Sequence, residues 1–336
     1  MKAFELQREF GLDHLEPVDK AMPSPGPGEV VVKLRAASLN YRDLMIIRGD
    51  YNPRMAFPQV PLSDGAGEIV ELGPGVEGWQ KGDRVMGLFY QGWTGGAPNQ
   101  SRLRQTLGSP LAGMLQEYVC LPAGGVIATP AHLSDAEAAC FPCAGLTAWS
   151  ALTSEGSVRA GDTVLLQGTG GVSLFALQFA KLLGARVIIT SSSDEKLERA
   201  RALGADEGIN YRRDEKWSKT VLEMTAGRGA DHIIEVGGAG TIGQSLKAVR
   251  IDGMISVIGV LSGVAPTLPL TLVLMKHVRL QGILVGHHDS CAAMLRAVSQ
   301  HAMKPVIDKC FPFADAIGAF EYMEQARHFG KICLTF

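Results

Sequence analysis

The fold is decided by twelve consecutive residues, Asp162-Thr163-Val164-Leu165-Leu166-Gln167-Gly168-Thr169-Gly170-Gly171-Val172-Ser173. The first half is a short apolar run with the length of one buried strand. The second half is a glycine turn opening a helix over residues 171–183, in which Val172, Phe175, Ala176, Phe179, Leu182 and Leu183 recur at helical spacing. The pattern then repeats downstream. Strands are predicted at 186–190, 208–211, 231–236, 254–260 and 280–285, and helices at 194–203, 214–225, 241–250 and 272–277. Strand and helix alternating at this spacing imply an α/β fold with a doubly wound parallel sheet.

Upstream the character changes. Strands are predicted at 29–39, 67–72, 83–88 and 115–121. They are separated by turns such as Pro23-Ser24-Pro25-Gly26-Pro27-Gly28 and Gly73-Pro74-Gly75, with one helix at 41–48. This region reads as mostly β. The tail adds a helix at 291–301 and a last strand at 331–336.

Composition limits the function classes. The 336 residues include 40 glycines, about 12% against a usual ~7%, with no Gly-X-Y period. Apolar residues make up 46% and charged residues 20%, so the chain is globular and long enough for two domains. A net charge of −2, from 32 basic and 34 acidic residues, gives no field that would gather nucleic acid or an anionic membrane. Two stretches without charge, 163–180 and 253–275, are interrupted by Gly168, Gly170 and Gly171 and by Pro266 and Pro269, and read as core rather than membrane spans. The opening Met1-Lys2-Ala3-Phe4-Glu5 meets a charge at once, unlike a secretory leader, so a cytoplasmic protein is expected. Its cysteines then act mostly as small buried apolar residues. Cys140-x-x-Cys143 lies outside any thioredoxin-like pattern and is not read as a redox pair.

The glycine turn has a chemical reading. Gly168 makes the tight turn, and Gly170 lets backbone approach a pyrophosphate. Thr169, Gly171 and Val172 complete the cradle, and the helix start supplies free N–H groups. Ser173 stands where the third glycine of a G-x-G-x-x-G pattern would be. The end of the second strand then selects the dinucleotide. An acid there would bond a ribose 2′-hydroxyl, whereas this chain has Ser191 and Ser192, with Lys196 one helical turn on and Tyr211 after the next strand. Hydroxyls and positive charge suit a 2′-phosphate, so the expected cofactor is NADP(H). The serines also suit capping of the helix that begins at Asp194.

With these motifs the chain resembles the medium-chain dehydrogenase/reductase superfamily. The likeness runs nearly end to end, through Gly73-Pro74-Gly75-Val76, Lys81-Gly82-Asp83-Arg84-Val85, Ala144-Gly145-Leu146-Thr147-Ala148-Trp149, Ala202-Leu203-Gly204-Ala205-Asp206 and His328-Phe329-Gly330-Lys331-Ile332. It implies a GroES-like, mostly-β catalytic domain over residues 1–124, completed by 287–336, with a Rossmann domain at 125–286 inserted in it. It also implies that Thr147, Ile258, Gly259, Val260, Phe329 and Lys331 approach the cofactor. A homodimer formed through the strand from Leu280 to Val285 is implied as well.

Zinc enzymes of this superfamily carry Cys, His-Glu and a later Cys or His at positions that map onto Asn40, Ser63-Asp64 and Cys143. An amide, a hydroxyl and one thiol make a poor zinc site, and residues 89–113 lack the cysteines of the structural zinc lobe, so no metal is expected. The zinc-free branch includes quinone oxidoreductases and enoyl reductases. Asn40-Tyr41-Arg42-Asp43 followed by Gly49-Asp50-Tyr51 is similar to the Asn…Asp…Tyr pattern of the latter. The resemblance implies that Asn40 and Tyr51 donate hydrogen bonds to the reacting oxygen, with Asp43 orienting its neighbours. Expected activities are NADPH-dependent reduction of an activated alkene, a quinone or a related carbonyl compound, or else interconversion of alcohol and carbonyl. A third reading is an NADPH-binding protein with a structural or sensing role.

Overall fold

The computed structural model describes residues 1–263 and 268–336, so Pro266 lies outside the described residues. The chain forms two units, Met1–Leu146 with Gly286–Phe336, and Thr147–Val285.

In the first unit, β1 (Lys2–Leu6) and β2 (Leu15–Asp19) pair antiparallel. The main sheet is built on β3 (Glu29–Leu39), with β4 (Asp64–Leu72), β5 (Arg84–Gly87), β6 (Tyr118–Pro122) and β7 (Val126–Ala128). Residues 30–32 and 36–39 of β3 are buried on both faces, which explains its long apolar run. The β3–β4 pair is drawn tight at Gly67, where any Cβ would meet the Lys33 carbonyl. The N-terminal hairpin was not read from the sequence, because Glu5, Glu16 and Pro17 break its alternation.

The second unit holds β8 (Thr163–Gln167), β9 (Arg186–Ser191), β10 (Glu207–Asn210), β11 (Ala230–Glu235), β12 (Val249–Val257) and β13 (Arg279–Gly282). They form a parallel sheet in the order β10-β9-β8-β11-β12-β13. Reading 3-2-1-4-5-6, this is the doubly wound Rossmann order, with helices Gly171–Leu182, Asp194–Ala202, Trp217–Met224 and Ile242–Ala248 between strands. Leu165, Ile188, Ile233 and Ile255 join with Val221 and Leu246 in one core. Strand β12 begins at Val249 rather than at 254, since Val249 already pairs with Ala230 before a register shift.

The tail returns to the first unit. Helix His288–Gln300 leads to β14 (Ile307–Pro312), helix Ala316–Glu324 and β15 (Lys331–Thr335). Strand β15 runs antiparallel to β3, so Ile332, Cys333 and Leu334 face Leu39, Ser38 and Ala37. The boundary between units differs from the predicted 124/125. Strand β7 pairs with β5, and Cys143 hydrogen-bonds to Asp64, so the chain stays with the first unit until Leu146. The helical stretch 141–154 includes widened π-type turns, which no periodicity announces.

Candidate active site

Five side chains from distant parts of the sequence meet in the first unit. Asn40 follows β3 and caps helix Tyr41–Arg48; Ser63 immediately precedes β4, which Asp64 begins; Cys143 lies in the π-type turn; Lys331 begins β15. Lys331 is 3% exposed, and its Nζ donates to Asn40 Oδ1 and to the Leu39 carbonyl, each at 2.6 Å. Asn40 Nδ2 donates to Ser63 Oγ at 3.4 Å, and Ser63 Oγ donates to Asp64 Oδ1 at 2.9 Å. The Cys143 backbone N–H donates to Asp64 Oδ2 at 3.2 Å. An ammonium can only donate, so Lys331 fixes which end of the Asn40 amide is oxygen.

The electrostatics follow from burial. Desolvation raises the Asp64 carboxyl, while Lys331 and the hydrogen bonds from Asn40 and Ser63 pull it back. Burial and the Asp64 charge push the Cys143 thiol far up, so it stays protonated. This donor set does not fit zinc. A tetrahedral site needs ionised or basic ligands, whereas here are a protonated thiol, an amide and a hydroxyl. An ammonium already lies against the amide oxygen and would repel a second cation. Among the described residues, no group of three or more His, Cys, Asp and Glu side chains is placed to hold a metal.

Beside this cluster a second set is organised by Arg42. Its guanidinium lies 4.8 Å from the centre of the Tyr51 ring and 4.7 Å from that of Phe89. It donates to the Leu107 carbonyl at 3.0 Å and lies 3.6 Å from Asp43 Oδ1. Asp43 Oδ2 accepts the Asn40 backbone N–H at 2.8 Å. Desolvation lifts the fully buried Asp43 carboxyl to about 6, against the opposing pull of Arg42. Arg42 loses ground to desolvation, but the charges of Asp43 and Tyr51 outweigh it and its net shift is upward. Tyr51 itself is 47% exposed, so its ring rests on Arg42 with its edge open to solvent. The stacking of Arg42 on the Tyr51 ring is a contact that the sequence did not announce.

Lys331 was expected at the cofactor; its ammonium is found in the Asn40 cluster, and Phe329 is fully buried in the same unit. Residues 90–111, left without a role by the sequence, fold back on the first unit. Gln91 pairs with Gln105, the short helix Gln100–Leu103 is capped by Asn99, and the Trp93 and Thr94 carbonyls accept from His288 and Asp289.

The glycine turn lies in the second unit. Gly168 has φ +71°, a conformation that disfavours side chains, and a Cβ at Gly168 or Gly170 would meet nothing within 4 Å. The open space and the absence of a side-chain cap on helix Gly171–Leu182 leave its first N–H groups available to a phosphate. Val172 lies in the first turn of this helix, and Thr169 is buried beside it. Ser173 Oγ donates to the Gln167 carbonyl at 2.7 Å, so the residue replacing the third glycine ties helix to strand.

At the end of β9, Ser191 is 2% exposed and its hydroxyl accepts the Ser193 N–H at 3.3 Å. Ser192 follows, Ser193 caps the next helix through the Lys196 N–H, and Tyr211 is 42% exposed after β10. The nearest acid, Asp194, is engaged by Asn210 at 2.7 Å and by Arg213 at 2.6 Å. Ile258 and Gly259 donate to the Glu235 carbonyl, Val260 is exposed, and Thr147 is buried at the start of the unit.

One feature of this unit escaped the sequence. Glu235, fully buried at the end of β11, accepts from Gln167, Gly237, Gly238, Thr241 and Ser245. It ties the end of β8, just before Gly168, to the turn after β11.

This pairing of a parallel Rossmann sheet with a mostly-β partner unit defines a class, the nicotinamide-dependent dehydrogenases and reductases. The chain belongs to the medium-chain dehydrogenase/reductase superfamily. Residues 26–131 match the model described as the alcohol dehydrogenase GroES-like domain, and residues 171–300 match the one described as zinc-binding dehydrogenase. The zinc-type alcohol dehydrogenase-like protein C1773.06c of Schizosaccharomyces pombe is 44% identical over 96% of each chain. A solved structure of an alcohol-dehydrogenase-like protein from Sinorhizobium meliloti 1021 is also 44% identical, covers 100% of this chain and 99% of its own, and has a TM-score of 0.93. An NAD-dependent alcohol dehydrogenase, 36% identical with full coverage of both chains, has a TM-score of 0.92. Mycobacterial Rv1454c, solved with NADPH, is 28% identical with full coverage of both chains and a TM-score of 0.83.

Proposed function

We propose that this oxidoreductase is NADPH-dependent and zinc-independent, and passes hydride to an activated alkene, a quinone or a related carbonyl compound. The observation that carries this reading is the Lys331–Asn40–Ser63–Asp64 network, in which Asn40, Ser63 and Asp64 stand at positions that the family resemblance maps onto zinc ligands. The glycine turn and the serine-rich end of β9 would hold the dinucleotide, which when bound supplies the hydride.

The chain's own part is to manage charge on the substrate oxygen. The Tyr51 hydroxyl donates a hydrogen bond as negative charge gathers. Arg42 holds the Tyr51 ring by stacking, and Asp43 holds Arg42. Lys331 pins the Asn40 oxygen, which turns the amide N–H groups toward any acceptor on the other side. A fixed donor costs no reorganisation as charge develops.

The preference for NADPH rests on Ser191 and Ser192 in place of an acid, and on the engagement of Asp194 by Arg213. A second reading, alcohol dehydrogenase, is favoured by the name of the fission-yeast relative. A homodimer through β13 is part of the proposal. It is the edge strand of its sheet, and Leu270, Leu274 and Met275 on the nearby helix are each more than two-thirds exposed. Six free thiols suit a reducing compartment such as the cytoplasm.

The test is NADPH oxidation by chelator-treated protein over a panel of enones, quinones and aldehydes, with metal content measured in parallel. Turnover at negligible zinc supports the proposal. Stoichiometric zinc with activity lost on chelation, or no turnover with any acceptor, overturns it.

A further inference from the structure

Three sulfurs form a line from the surface inward in the first unit. Cys310 is exposed on the sheet-edge strand β14 and is the register partner of Cys333 on parallel β15. Cys333 is fully buried, and its Sγ lies 3.5 Å from that of Cys140, also fully buried. Adjacent strands lie about 4.8 Å apart, inside the 4.4–6.8 Å Cα separation of roughly all disulfides. This spacing lets Cys310 and Cys333 be bridged across the strand pair, and the Cys333 and Cys140 sulfurs are already 3.5 Å apart.

The thiols differ in reactivity. The neighbouring Cys333 favours the thiolate of exposed Cys310, lowering it to about 7. Hydrogen bonding to Cys140 and Cys310, with burial, pushes Cys333 well up. Cys120 offers an internal comparison, since burial and Glu29 raise it to about 11.

We propose that Cys310 is a peroxide-reactive site whose oxidation is resolved within the chain by Cys333 and then passed to Cys140. The Cys310 thiolate attacks one oxygen of hydrogen peroxide. The O–O bond breaks, hydroxide leaves and takes a proton to become water, and Cys310 becomes a sulfenic acid. The Cys333 thiol displaces the sulfenic hydroxyl. An S–S bond forms, the S–O bond breaks, and the Cys333 proton leaves with the hydroxyl as a second water. Cys140 then attacks Cys333 Sγ and releases Cys310, its proton passing to solvent. A weakly basic thiolate is the better leaving group, which favours this last exchange. In sum two thiols lose two electrons and two protons, and one peroxide becomes two waters.

The location gives the exchange a reach beyond the sulfurs. Cys333 lies two residues from Lys331 on one strand, and Cys140 three residues from Cys143. A Cys140–Cys333 bond therefore ties together the two segments that supply Lys331 and the Cys143 amide.

The experiment treats the reduced full-length protein with hydrogen peroxide at neutral pH and maps peptides by mass without reduction. The expected product is the Cys140–Cys333 disulfide with Cys310 returned as a free thiol, formed roughly tenfold or more faster than Cys120 is oxidised, since thiolate fraction outweighs the loss of intrinsic nucleophilicity. Cys140→Ser should stop the product at Cys310–Cys333. Cys333→Ser should leave a sulfenic acid at Cys310 that dimedone traps. Cys310→Ser, a change at an exposed position, should slow disulfide formation at least tenfold, and it carries the test if the buried variants fold poorly. The proposal is overturned if Cys310 is inert, if wild-type Cys310 proceeds to sulfinic acid or an interchain dimer instead, or if Cys140–Cys333 forms undiminished in Cys310→Ser.

Discussion

Lys331 Nζ and Asn40 Oδ1 lie 2.6 Å apart, joining residues 291 positions distant in the sequence. The contact follows from β15 pairing with the end of β3, Ile332 opposite Leu39. If the ammonium orients the amide for catalysis, Lys331→Met should lower kcat/KM about tenfold to a hundredfold, mostly in kcat. It should also raise the Asp64 carboxyl further, because Lys331 opposes its desolvation. The acid limb of the kcat/KM profile would then move to higher pH. Unchanged kcat and an unmoved profile would show Lys331 to be structural only.

Tyr51→Phe removes one hydroxyl from a ring that is 47% exposed. Stability should change by less than ~0.5 kcal/mol, as for other exposed substitutions. The kcat should fall by about a hundredfold, the usual effect of losing a donor to a developing oxyanion, with little change in KM. Steady-state kinetics beside thermal melting separate the two effects.

Ser191→Asp places a carboxylate where a 2′-phosphate would be received. The expected result is a rise of at least tenfold in KM for NADPH with a smaller effect on NADH, measured by initial rates with each cofactor. Equal losses for both would remove the argument from the end of β9.

Glu235→Ala leaves five donors facing an empty site. A loss of about 3 kcal/mol or more is expected from the stranded polar groups, read as a lower denaturant midpoint. Glu235→Gln should fall between, since its amide nitrogen would confront some of those donors.

Two buried groups give opposite pH slopes. Burial, with the charge of Arg279, holds His232 at about 4, below its ordinary 6.5, and Ser256 is its hydrogen-bond partner at 2.8 Å. The folded state therefore binds fewer protons there, and the stability present above pH 6.5 is lost as pH falls toward 4. Burial holds Asp43 at about 6, above its ordinary 3.8, so its contribution is present at low pH and lost as pH rises through 3.8 to 6. In Asp43→Asn, stability should drop more steeply on acidification from pH 6 to 4, by up to about 1.4 kcal/mol per pH unit. His232→Gln should flatten the same curve. Melting temperatures across this range give both slopes.

The Rossmann unit was legible because most of its strands are short, carry an apolar centre and are bounded by glycine turns, and its helices alternate with them in a regular order. The mostly-β unit was legible in its long strands and turns, but not in the β1–β2 hairpin, where charged residues and a proline break the alternation. Asn40, Asp43 and Tyr51 were named through the resemblance to the enoyl reductase pattern, not through any period in the chain. The contacts of Arg42 at Leu107 and Phe89 come from a different part of the chain and leave no signal beside it in the sequence.

The sequence by itself determined that a glycine turn follows a buried strand, that serines stand at the end of the second strand of that unit, and that Asn40, Ser63 and Asp64 offer an amide, a hydroxyl and a carboxyl. These are local facts, written in neighbouring residues. Only the tertiary structure decided that Lys331 lies against Asn40, that Glu235 binds five donors, and that Cys310, Cys333 and Cys140 stand in a line. Each joins residues brought together by strand register or by the return of the tail to the first sheet, and such contacts leave no period or motif in the chain to be read.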